Sequence, residues 1–117
     1  MKRLFLALVA ASLPVAAAPA LAHTAVRETS IADNATLSAP PATFTVTFSA
    51  ATGLASVTLT NAAGREVVLD YTPPRTRAAA FTIPLPTLAP GAYTISWRTM
   101  ASDGHVMPGA VRFTVTG

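Results

Sequence analysis

A chain of 117 residues with eight Lys and Arg, five Asp and Glu and no cysteine is long enough for one hydrophobic core and too short for two, and it excludes disulfides and thiolate metal sites. Its formal charge of +3 overstates the folded part: without Lys2 and Arg3, which fall in a predicted export signal, six Arg face five acids, a net of about +1 with no basic run of the kind that tracks phosphates. Nucleic acid is therefore not the expected partner, and any bound metal must take N, O or thioether donors.

In chain order, Met1-Lys2-Arg3 forms a short positive start, Leu4 to Ala18 is apolar, and Ala20-Leu21-Ala22 supplies small residues where a signal peptidase reads them. Cleavage after Ala22 makes residues 1–22 a removed signal peptide and residues 23–117 the folded domain, with His23 as its first residue. A competing site after Ala18 would place Pro19 first, a poor substrate. The apolar run is shorter than the roughly 20 residues of a membrane span and is broken by Pro14 and Pro19.

Beyond His23 there is almost no helical periodicity. Alternation with period two recurs instead, in Phe44-Thr-Val46-Thr-Phe48, Val57-Thr-Leu59, Phe81-Thr-Ile83 and Phe113-Thr-Val115. This pattern predicts seven strands near residues 25–31, 43–49, 54–61, 65–70, 78–84, 91–99 and 109–116, separated by Pro, Gly and Asn signals. Asn61-Ala62-Ala63-Gly64 reads as a hairpin turn, while Pro40-Pro41 and Pro73-Pro74 read as connections where no ladder donor is needed. Leu88-Ala89-Pro90-Gly91-Ala92-Tyr93 is similar to the tyrosine corner of immunoglobulin-like sandwiches, so the predicted fold is an all-β, immunoglobulin-like Greek-key β-sandwich of about seven strands. Tyr93, Ile95 and Trp97 alternate onto one face and are assigned to the core.

The chain contains two histidines, His23 and His105. As a first residue, His23 offers its α-amino nitrogen and its imidazole to one metal within a single chelate ring. Their reference pKa values, about 7.7–8.0 and about 6.5, leave little proton to displace near neutrality. In Ser102-Asp103-Gly104-His105, Gly104 permits a tight turn that brings the Asp103 carboxylate and the His105 imidazole toward one point. One amine, two imidazoles and one carboxylate suit the tetragonal N,O environment of Cu(II), with Zn(II) a weaker fit. Taken singly, each half has a plainer explanation, because Asp-Gly before a strand is a common hairpin signal and a terminal His is ordinarily only solvated. It is the coincidence of both histidines at special points that singles out metal binding.

These residues resemble the CopC-type periplasmic copper-binding proteins. The resemblance runs from His23 after its Ala-x-Ala site, through Asp33-Asn34-Ala35-Thr36-Leu37, Pro40-Pro41 and Phe48-Ser49, to Leu88–Tyr93, Trp97 and Ser102-Asp103-Gly104-His105. It implies a periplasmic protein that binds one Cu(II) ion through His23, Asp103 and His105, and that buffers, transports or resists copper without being an enzyme. It also implies that copper passes to an inner-membrane transporter of the CopD type or to another cuproprotein; the chain is expected to be a monomer. Val106 replaces the proline usual after the loop histidine, Ala50 stands where many members carry an acid, and the Met-rich stretch of some members is missing. Met100 and Met107 are accordingly assigned to packing rather than to a Cu(I) site.

Two other classes share parts of this pattern. A copper mono-oxygenase with a histidine brace also pairs an amino-terminal His with a second His, but Asp103 would fill a position that dioxygen requires. A metal-free immunoglobulin-like scaffold accounts for the strands and leaves the placement of both histidines to chance.

Overall fold

The structure, a computed structural model, describes residues 25–117; the predicted signal and His23 lie outside them. Seven strands and no helix make up the described residues: β1 (Val26–Thr29), β2 (Ala35–Leu37), β3 (Thr43–Asn61), β4 (Glu66–Val67), β5 (Ala78–Pro84), β6 (Gly91–Met100) and β7 (Val106–Val115). The first half of β3 pairs with β1 and β5, setting Val26 opposite Phe48 and Phe44 opposite Ile83. Its second half pairs with β4 and β6, and the layer continues through β7 to β2. β3 therefore belongs to both layers of a sandwich, and the consecutive strands β5 and β6 sit in different layers.

The predicted strands at 43–49 and 54–61 are a single element. Ser49 to Gly53 contain no Pro and no turn-forming pair, so the backbone stays extended and changes layer by bending rather than by looping. Register irregularities between Thr47 and Thr52 and between Leu54 and Ser56 mark the bend. The buried side passes from Phe44, Val46, Phe48, Thr52 and Leu54 to Leu59 across it, a change of parity produced by the extra residue of a bulge.

Other differences concern strand ends. β4 covers two residues of the predicted 65–70, and β7 begins three residues before the predicted 109. Strand β2 was not expected, since three residues show no periodicity of their own. It is held from outside: Ala35–Leu37 pair in parallel with Phe113–Val115, Asp33 Oδ1 accepts the Arg112 backbone N–H at 2.9 Å, and Asn34 takes a left-handed φ of 64° that Asn tolerates better than most residues.

The core assignment holds. Ile95 is fully buried, Trp97 and Tyr93 nearly so, and Trp97 lies 5.7 Å from Phe44 between ring centres while Tyr93 stacks on Phe113 at the same separation. The Tyr93 hydroxyl donates to Ala89 O at 2.6 Å, which forms the expected corner. The Asn61 turn also forms as expected, with Gly64 at a φ of 76° and the Asn61 side-chain oxygen accepting the Ala63 and Arg65 backbone N–H groups at 3.0 Å. Met100 departs from its packing assignment: it is 45% exposed, because it is the outward-facing last residue of β6.

Candidate metal centre

The hairpin between β6 and β7 carries Asp103 and His105. Its last ladder pair is Met100 opposite Val106, and the turn is closed by Ala101 N–H donating to His105 O and Gly104 N–H donating to Ala101 O, both at 2.9 Å. Gly104 has a φ of 88°, in the left-handed region where a side chain is disfavoured. The sequence reading of a tight turn around this glycine is therefore met.

Within the turn, Asp103 and His105 are brought together. Asp103 Oδ1 accepts the His105 backbone N–H at 3.0 Å, and Oδ2 lies 2.7 Å from His105 Nδ1. The backbone N–H of His105, and after it the ring, hold the Asp103 carboxyl below its ordinary range, so the group is an acceptor and Nδ1 takes the donor role. That contact fixes the ring's orientation, and for both side chains to ligate one ion Nδ1 must exchange it for the metal. Both side chains remain well exposed, as an exchangeable site requires.

His23, the third predicted residue, lies outside the described residues. Among those described, no three His, Asp or Glu side chains gather to hold a metal ion, so Asp103 and His105 do not by themselves make up the donor set predicted from sequence. The nearest described neighbour of His23 is Ala25, two positions on. Ala25 O accepts the Ser49 backbone N–H at 2.8 Å, and Ala25 N–H donates to Ser49 Oγ at 3.0 Å.

The bend of β3 relates that end to the hairpin. Three residues past Ser49, the Thr52 hydroxyl donates to Met100 O at 3.2 Å, and Gly53 sits opposite Met100 in the ladder. Ala25 and the root of the Asp103–His105 turn thus attach to one short segment at one end of the sandwich. Sequence reasoning used Ser49 only as part of a resemblance and did not single out Thr52. The one signal available was a polar Thr at a position whose neighbours alternate into the core.

The chain is similar to known proteins along its described length. The CopC domain family matches residues 26–116. Copper resistance protein C of Xanthomonas campestris pv. juglandis is 33% identical over 116 residues, covering 92% of this chain and 90% of that protein. Among solved structures, CopC from Methylosinus trichosporium OB3b superposes with a TM-score of 0.64 at 26% identity, covering 80% of this chain and 94% of its own. PcoC, a methionine-rich copper resistance protein from Escherichia coli, gives a TM-score of 0.60 at 26% identity, covering 80% and 99%.

Proposed function

The chain belongs to the CopC family, and from that membership we propose that it binds copper in the periplasm as part of copper resistance. In this reading it holds one Cu(II) ion, with His23 giving its amine and imidazole and the Asp103–His105 turn completing the set. The observation that carries the reading is the turn that brings the Asp103 carboxylate and the His105 imidazole to one point, with Oδ2 and Nδ1 2.7 Å apart, tied to the same bend of β3 as Ala25. A residue two positions before Ala25 has its Cα within about 7 Å of that anchor.

This donor set favours holding and releasing the ion over chemistry on it. Its donors are hard or borderline, and four of them occupy the plane in which a copper oxygenase keeps a position open. Exposure of Asp103 and His105 permits stepwise ligand exchange, so copper can pass to a membrane transporter of the CopD type or to another cuproprotein. Export by a signal cleaved after Ala22 is part of the same proposal, because only cleavage there creates the amine of His23.

The test is a Cu(II) titration of the chain beginning at His23 beside its His105→Ala variant. The reading expects one equivalent bound tightly by the first and a loss of affinity of roughly 10-fold or more in the second, the scale set by removing a metal ligand or its support. Equal affinity in both would remove His105 from the site.

A further inference from the structure

We propose that the bend of β3 is a bracket that sets the spacing of the two halves of the copper site, with Ser49 positioning the amino-terminal half and Thr52 the turn half. The proposal rests on the copper-site reading above and adds two residues to it that touch no metal.

The ladder between β1 and β3 begins only at Val26, and its register is irregular between Val26 and Glu28. Strand pairing alone therefore holds the approach to His23 loosely. The Ser49 side chain supplies what the ladder lacks: with the backbone bond from Ser49 N–H it makes Ala25 a doubly held residue. On the other side, Thr52 is 1% exposed. A hydroxyl buried to that degree is costly unless it is used, and a valine would fill the same volume without it. Its use is the bond to Met100 O, the last residue before the turn.

Between these anchors the chain spans at most about 10 Å. Ala50 and Ala51 in between contribute no bulk, and Arg77 Nη2 donates to Ala51 O at 3.2 Å, so the outer side of the bend is fixed as well. Two ligand-bearing ends that are distant in sequence are thus tied to one short, braced segment. A site held in advance at its binding geometry binds more tightly, because less ordering remains to be done when the ion arrives.

The experiment is a competitive Cu(II) titration with electron paramagnetic resonance on the chain beginning at His23, compared with Ser49→Ala, Ser49→Thr and Thr52→Val. Loss of one hydrogen bond that orders the site is expected to weaken binding about five- to tenfold in Ser49→Ala and in Thr52→Val, with altered copper hyperfine splitting. Ser49→Thr keeps the oxygen and restores both. Because Ser49 acts through the terminal amine, its effect is expected to vanish when one extra residue precedes His23. Ser49 is exposed, so its variants keep the test readable even if Thr52→Val lowers stability. Unchanged affinity and spectrum in Ser49→Ala and Thr52→Val, or a Ser49→Ala loss of the same size with and without the extra residue, would overturn the bracket alone. A starting protein that shows no one-to-one Cu(II) signal would overturn the copper-site reading and the bracket with it.

Discussion

Asp103 and His105 are joined twice within one turn: Oδ1 of the carboxylate accepts the His105 backbone N–H at 3.0 Å and Oδ2 lies 2.7 Å from its Nδ1. A single side chain thereby fixes both the main chain and the ring of the residue two positions on.

Asp103→Asn separates the charge of that side chain from its shape. The amide oxygen still accepts the backbone N–H, but the negative charge that favours Cu(II) and supports the imidazole is gone. Copper affinity is expected to fall roughly 10- to 100-fold while the unfolding free energy changes by no more than about 0.5 kcal/mol, as for other exposed substitutions. Isothermal titration beside a thermal melt measures both.

The pH dependence follows from the same contact. A carboxylate whose folded pKa lies below its unfolded value contributes stability that is present above the unfolded value and is lost as pH falls through the folded one. Asp103 is shifted in that direction by the His105 backbone N–H and ring, so it stays ionised where protons compete with copper for nitrogen donors. Between about pH 7.5 and pH 5 copper is therefore lost through the nitrogen donors. Affinity measured across that range should fall steeply in the parent chain and with a similar slope in Asp103→Asn; a flat profile in the parent would contradict the nitrogen-rich set.

Gly104 is required by its conformation and not by its space. Nothing lies within 4 Å of where its Cβ would be, yet its φ is 88°. Gly104→Ala is expected to cost about 1–2 kcal/mol of turn stability and Gly104→Asn less, since Asn tolerates this region. Chemical denaturation of the three proteins checks the order.

Gly109 is required by space. A Cβ there would enter the indole ring of Trp97, which faces it across the β6–β7 ladder. Gly109→Ala must displace a ring that is itself packed on Phe44, at a cost of about 1–3 kcal/mol. Trp97 is the only tryptophan in the chain, so its fluorescence maximum should shift to longer wavelength as the melting temperature falls.

Period-two alternation made β5 and β6 and the core residues Tyr93, Ile95 and Trp97 legible from sequence, because burial on one face is written every second residue. It could not reveal that β3 is one strand, since Ser49 to Gly53 carry no large apolar residue to continue the alternation, and beyond Leu54 a bulge reverses its parity. β2 was invisible because its three residues are ordered by Asp33, Asn34 and β7 and not by their own pattern. The same division holds at the site. Asp103, Gly104 and His105 are contiguous, so their turn could be read directly, whereas Ser49 and Thr52 act on partners 24 and 48 positions away. Such contacts exist only after the layers have formed.

In the proposed site the terminal amine at His23 and the Asp103–His105 turn share one Cu(II) ion. The most direct measurement is electron paramagnetic resonance during Cu(II) titration of the chain beginning at His23, beside a version with one additional residue before it. A one-to-one, tetragonal, nitrogen-rich signal is expected in the first and is lost in the second, because an amide nitrogen replaces the amine. The same signal and affinity in both would contradict that site.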